Sequence, residues 1–456
     1  MIAPRACHFE DLFALPVEAD WLVFSPRRET AALLNATALA WLRNSGESEA
    51  GLEDLTELRK AFEAPAPPGV VRTGAAHPIF LGLIVTRACN LACNYCDFAA
   101  QPSHKHMPSA VATAAVNGWV EHQLKVGESR LVLHFFGGEP FVAGDVVQLA
   151  VLRTRTLAAR HGLTTHFEAS TNGLLNERAL RFVCDYFDAI VLSLDGMQSD
   201  HDRHRPFPGG RSSYEQVCHT ARRLSESSVK LLLRCCVSHS SVARMVETAA
   251  WMIAEFRPDV IDFEPLSPTC EAQAANLEPP EELAFARGFI AARRAAAKAG
   301  VSCEYGAAYH GVRQSFCPLG QDAFIVAPLG ELRSCYLRAQ TLETHGLDLR
   351  LGRVIPGRGL EIDDRSVERL RALSAHRPGC EGCFCQWSCA GGCVVREPGP
   401  RLRGERSQFC RQTRMLQACL LLERMGETTR VDQLLADGTS LVALANRQDD
   451  RLGGGG

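Results

Sequence analysis

The stretch IFLGLIVTRACNLACNYCDFAA (residues 79–100) decides the fold. Its first eight residues are an apolar, β-rich run, and three cysteines, Cys89, Cys93 and Cys96, follow at gaps of three and two. Reading outward, five more such runs recur: RLVLHFFG (130–137), THFEAST (165–171), AIVLSLDG (189–196), VKLLLRCCV (229–237) and VIDFEPLS (260–267). Helical periodicity fills the intervals, at 109–126, 144–161, 176–187, 213–227, 241–256 and 280–299. Strands this apolar are buried on both faces, so the series predicts an α/β fold, a partial (β/α)6 TIM-like barrel, with helices covering a parallel sheet. The cysteines, GGEP (137–140), STNG (170–173) and SLDG (193–196) all fall just after a strand, where such barrels place their chemistry.

Four segments are expected. Residues 1–75 form a small leading α+β unit, with a strand at DWLVFSP (20–26) and helices at ETAALLNATALAWLRN (29–44) and GLEDLTELRKAF (51–62). Residues 76–300 are the barrel, 301–425 a cysteine-rich region closed by an apolar helix at 413–425, and 426–456 a C-terminal tail.

The whole chain of 456 residues carries a formal charge of −3, which gives no footprint for nucleic acid. It has no apolar run long enough to span a bilayer, and its start lacks the charged and apolar segments of a secretory signal. A cytoplasmic protein is expected, and its nineteen cysteines then read as metal ligands, redox groups or small buried residues.

Three thiolates on one loop can hold three corners of a 4Fe-4S cube and leave the fourth iron open. A structural zinc site prefers two separated cysteine pairs, although His104 and His106 could complete one here. With Tyr95 before the third cysteine, the loop resembles the signature of the radical S-adenosylmethionine (SAM) superfamily. That resemblance implies a cluster on Cys89, Cys93 and Cys96 whose open iron chelates SAM. It also implies that one electron cleaves SAM to a 5′-deoxyadenosyl radical, which abstracts hydrogen from a substrate. Gly137, Gly138, Glu139 and Pro140 would then hold the SAM amino group, with Asn172 and Ser193 near its ribose or carboxylate. Arg205, in HDRHRPFPGG (201–210), is a candidate SAM or substrate contact.

A second cysteine field contains Cys317, Cys335, Cys380, Cys383, Cys389, Cys393 and Cys410. It resembles the SPASM extension of radical SAM maturases, which holds two auxiliary 4Fe-4S clusters. The family's interleaved pattern implies Cys317, Cys335 and Cys393 on the first, and Cys380, Cys383, Cys389 and Cys410 on the second. One corner of the first is left open, and Cys303 and Cys385 are candidates to fill it. The remaining cysteines, 7, 184, 218, 235, 236, 270 and 419, read as small buried residues.

Relatives that form formylglycine in sulfatases carry an aspartate just after the second cysteine of this field, where this chain has Tyr336. The departure favours a maturase that crosslinks a ribosomally made peptide or protein, through a C–C or thioether bond, over an anaerobic sulfatase maturase. A non-catalytic metal or iron–sulfur module is a further alternative, and GGEP at a strand end argues against it. The resemblance implies a precursor peptide as partner and an electron donor such as flavodoxin or ferredoxin. The helix opened by LNATA (34–38) resembles part of a leader-peptide recognition domain.

Overall fold

The computed structural model describes residues 11–43, 53–67, 72–98, 106–308, 311–377, 379–395 and 406–452. The chain divides into two compact units. One comprises 1–71, 307–316 and 375–456; the other comprises 72–306 and 317–374.

The first unit contains an antiparallel meander of β1 (Phe13–Val17), β2 (Asp20–Ser25) and β3 (Thr30–Leu34). Leu12, Ala14, Val23, Leu34, Leu39, Leu42 and Phe62 form its core. The long helix expected at 29–44 is split. Thr30–Leu34 pairs with β2 throughout, and the helix begins only at Ala36. Asn35 causes the break: its side chain accepts the Ala38 N–H at 2.9 Å and caps the helix. The segment expected as a tail carries two helices, Thr428–Asp437 and Thr439–Asn446, which pack on a buried helix at Gln408–Arg424.

The second unit is built on one sheet. Six parallel strands come first: β4 (Leu81–Ile84), β5 (Arg130–Phe136), β6 (Thr164–Thr171), β7 (Ala189–Ser193), β8 (Lys230–Val237) and β9 (Val260–Pro265). They neighbour one another in sequence order with a helix after each, which is the partial barrel expected. A short β10 (Ser302–Glu304) extends the far edge in parallel with β9. At the near edge β11 (Phe324–Val326) lies parallel to β4. Antiparallel β12 (Glu331–Arg333), β13 (Arg350–Ile355) and β14 (Gly359–Ile362) continue outward. Pairing of β11 with β4 explains why 317–374 joins the barrel's compact unit and cuts across the segment boundary at 300.

Strand alternation separates the faces. On β5, Leu131, Leu133 and Phe135 are fully buried, while Val132, His134 and Phe136 are half-buried toward the lumen. The helix at Ser109–Val126 carries Gly118 in its interior, a weak helix former. A Cβ there would come 2.7 Å from the Leu360 backbone nitrogen, so the glycine lets the β13–β14 hairpin lie against the helix.

Candidate functional site

The cysteine loop leaves β4 and is held from three sides. Ala92 and Asn94 donate backbone N–H groups to the carbonyls of Pro206 and His204, at 2.8 and 2.9 Å. Tyr95 turns inward, and its hydroxyl donates to Asp195 at 2.7 Å. Asp195 is fully buried, accepts the Cys236 N–H at 2.9 Å, and pairs with Arg205 at 2.9 Å and His204 at 3.3 Å. Burial pushes the Asp195 carboxyl up, but Arg205 and His204 more than offset it and hold it well below the usual range. The Arg205 guanidinium also covers the Tyr95 ring at 5.3 Å. Tyr95 and Arg205, both expected at the cofactor, join Asp195 in a buried ionic support beneath the loop, and Arg205 also reaches the Cys93 sulfur at 4.0 Å. Asp195, inside SLDG, is the centre that sequence reading passed over in favour of Ser193, which lies half-buried at the end of β7.

Two arginines fix the loop's ends. Arg87 donates to the carbonyls of Tyr336 and Leu337 at 2.7 and 3.2 Å. Arg338 donates to the Asp97 carboxylate at 2.8 Å and to Glu271 at 3.2 Å. The residues after Cys335 are thereby tied to both flanks of the first cysteine trio.

Burial raises the Cys89 and Cys93 thiols, and Cys96 lies close enough to raise both further. Burial pushes the Cys89 thiol up to about 11, while the Leu91 N–H bonded to its sulfur pulls it back. Among the described residues no three His, Cys, Asp or Glu side chains gather around a point fit for one metal ion. A four-iron cube spreads its thiolates further apart, with iron and sulfide between them, and the open trio fits that group. His106 is bonded to the Thr86 hydroxyl at 3.0 Å, and His104 lies outside the described residues.

GGEP packs directly on the loop. A Cβ on Gly137 would come 2.3 Å from the Thr86 oxygen, and one on Gly138 would come 2.2 Å from the Ala88 oxygen. Both glycines are needed for this close approach, and the Gly138 and Glu139 N–H groups bond those two oxygens at 3.0 and 2.9 Å. Pro140 opens a single 3-10 turn capped by Glu139. The buried Glu139 carboxylate accepts from the Phe141 N–H at 3.1 Å, the Thr171 hydroxyl at 2.9 Å and the Asn172 N–H at 2.7 Å. Among the described residues no basic side chain pairs with it. Burial raises it to about 7 against those three bonds. A buried carboxylate that lacks a cation, one residue contact from Cys89, fits a ligand ammonium. Asn172 makes that contact: its amide donates to Asn90 at 2.7 Å and to the Cys89 sulfur at 3.5 Å.

The lumen below is polar. His134 bonds the Tyr336 hydroxyl at 2.5 Å and reaches the Ser170 hydroxyl at 3.3 Å. Gly82 makes room, since a Cβ there would meet the Tyr336 hydroxyl at 2.4 Å. Burial, with Arg234 nearby, lowers His134 to about 4, so the ring is neutral at neutral pH. Arg234 on β8 donates to Asp262 on β9 at 2.8 Å. Sequence reading missed His134, Arg234 and Asp262. Their signal was a charged or imidazole side chain interrupting an otherwise apolar strand.

In the first compact unit, Cys380, Cys383, Cys389 and Cys410 converge. Burial raises the Cys389 thiol, and Cys410, Cys380 and Cys383 raise it further. Cys385 is fully buried and hydrogen-bonded to Cys383. Cys303 is buried on β10. Cys317 and Cys335 belong to the barrel's unit and Cys393 to the other. Of the cysteines expected to be buried, Cys218, Cys235 and Cys419 are, and Cys184 and Cys236 are half-buried. Cys270 is exposed, because it opens a surface helix, and Cys7 lies outside the described residues. No helix among the described residues is long and apolar enough to cross a membrane.

Residues 83–251 match the Radical SAM superfamily. The chain is 28% identical over 182 residues to a serine-type anaerobic sulfatase-maturating enzyme of Klebsiella aerogenes, a match covering 39% of this chain and 44% of that one. It is 24% identical over 184 residues to the sporulation killing factor maturation protein SkfB of Bacillus subtilis, covering 38% and 40%. The chain thus spans less than half the length of these curated relatives. Among solved structures, native anSMEcpe with bound AdoMet superposes with a TM-score of 0.58 at 18% identity, over 79% of this chain and all of that one. SuiB of Streptococcus suis bound to S-adenosylmethionine gives 0.51 at 13% identity, over 88% and 97%. At such identities these two likenesses concern the fold.

Proposed function

We propose, on the match of residues 83–251 to the Radical SAM superfamily, that the chain is a SPASM-type maturase that installs a C–C or thioether crosslink on a ribosomally made peptide or protein. The observation that carries the reading is the presence of two separate thiol sites: Cys89, Cys93 and Cys96 beside the buried Glu139, and Cys380, Cys383 and Cys410 around Cys389. When bound, the first cluster and SAM would supply an electron and a 5′-deoxyadenosyl radical that takes a substrate hydrogen atom. Glu139 would hold the SAM ammonium, Asn172 would orient the loop beside it, and the Asp195–Arg205–Tyr95 support would fix the trio's position. His134 and Tyr336 line the chamber where a substrate side chain would lie. Cys317, Cys335 and Cys393 would hold the first auxiliary cluster, and the second would accept electrons leaving the product.

Crosslinking is preferred over formylglycine formation because position 336 offers a phenol in place of a carboxylate. The sulfatase-maturase reading stands second, favoured by the 28% identity to the Klebsiella enzyme. A leader segment of the substrate would add to β3, whose outer edge has no strand partner among the described residues. A flavodoxin or ferredoxin would supply the electron.

Anaerobically purified protein should contain about twelve irons per chain, as three cubes require, and with dithionite and SAM it should release 5′-deoxyadenosine. Alanine at Cys89, Cys93 and Cys96 should abolish that release. Cys383→Ala should retain part of it while product formation stops. Zinc in place of iron, with no SAM cleavage after reconstitution, would overturn the proposal in favour of a binding module. An aldehyde on a co-expressed sulfatase would promote the second reading.

A further inference from the structure

A buried ion pair, Arg414–Asp450, lies in the first compact unit. Arg414 is 1% exposed and Asp450 is fully buried. A guanidinium has five N–H donors, and each has an acceptor here. Nε donates to the Ala445 carbonyl at 3.0 Å. Nη2 donates to the Leu444 carbonyl at 2.8 Å and to Asp450 at 2.9 Å. Nη1 donates to the other Asp450 oxygen at 2.6 Å and to the Cys383 sulfur at 3.1 Å. The plane is further fixed over the Phe384 ring at 5.0 Å. Asp450 is held in turn by the Phe384 N–H at 3.2 Å, and its own N–H donates to Gly382 at 2.8 Å.

Such a pair is costly to desolvate, and apolar side chains of the same volume would serve packing equally well. What apolar side chains cannot provide is an N–H aimed at a thiolate sulfur. Hydrogen bonds to ligand sulfur stabilise the more negative, reduced form of an iron–sulfur cluster and so raise its potential. Resting on the reading that Cys383 ligates the second auxiliary cluster, we propose that Arg414 is a positioning residue that raises that cluster's reduction potential. Asp450 and the carbonyls of Leu444 and Ala445 hold its guanidinium against the sulfur. The C-terminal segment thereby becomes part of the electron-accepting site. Lysine, with a single ammonium, cannot meet all five acceptors.

The test is an EPR-monitored redox titration of the holoenzyme. Arg414→Gln should shift the second auxiliary cluster to more negative potential and leave the SAM-binding cluster's midpoint in place. An unshifted midpoint at full iron content would overturn the proposal. Because Arg414→Gln leaves Asp450 facing Arg447 alone, at 3.5 Å, the pair Arg414→Gln with Asp450→Asn is measured alongside, with the same expectation. A third measurement needs no variant. In protein labelled with 15N-arginine, pulsed EPR of the reduced second auxiliary cluster should show a 15N coupling, and its absence would also overturn the proposal. Failure to find that cluster in the unaltered holoenzyme would instead overturn the functional reading on which Arg414's role depends.

Discussion

Glu139 shows how one residue couples burial to ligand choice. Its carboxylate receives three hydrogen bonds and no cation, and burial leaves it at about 7. An acid raised above its ordinary 4.5 favours the folded state most while protonated, and that contribution is lost as pH rises through about 7. A ligand ammonium reverses the preference by pairing with the ionised form. SAM binding should therefore tighten as pH rises through about 7 and then level off, as isothermal titration across that range would read. Glu139→Gln removes a charge-assisted bond worth about 1.5–3 kcal/mol, roughly a 10- to 100-fold loss of SAM affinity, and should flatten the pH profile. A variant with unchanged affinity would place the SAM amino group elsewhere. The motif GGEP was legible in the sequence, but the reason for its glycines was not. They clear the way for the Thr86 and Ala88 oxygens of the cysteine loop, a contact that spacing along the chain does not encode.

At the scale of elements, the strands and helices of the barrel were readable because each is long and strongly periodic. The helices at Ser109–Val126 and Gly144–His161 match their sequence limits to the residue. Where two elements share one composition the reading failed, as at 29–44, where alanine and leucine suit a helix but pairing with β2 claims Thr30–Leu34. Asn35, the cap within the LNATA that reads as opening a helix, marks where the run divides. The support of the cysteine loop was missed for a different reason: Asp195, His204 and Arg205 come from two loops and the end of a short helix, and only folding brings them to Tyr95. Asp195→Asn would leave Arg205 without its counter-charge in a buried site, at a cost of about 3–5 kcal/mol. Thermal unfolding of the ligand-free protein should fall accordingly, and iron retention on the trio should fall with it. Asn at 195 with unaltered melting and iron content would show that the loop is held by its backbone bonds to His204 and Pro206 alone.

At the scale of the whole molecule, cysteine spacing anticipates the group of Cys380, Cys383, Cys389 and Cys410 but not what surrounds it, because the helices packed on the one that carries Cys410 come from a segment that reads as a tail. Thr428–Asp437 and Thr439–Asn446 pack on the helix that carries Cys410 and Arg414, and the chain then returns so that Asp450 meets Arg414. Removing residues 428–456 strips three of the four protein groups that accept from Arg414, namely Leu444, Ala445 and Asp450. A buried guanidinium left with the Cys383 sulfur as its one acceptor draws in water or moves out, and either change opens the Cys380–Cys383–Cys389–Cys410 site. Iron per chain should fall from about twelve to about eight, one cube's worth. SAM cleavage should persist in part, since every residue proposed to hold SAM lies in the barrel's own compact unit. Retention of all the iron in the shortened chain would show that the second auxiliary site closes without its C-terminal arm.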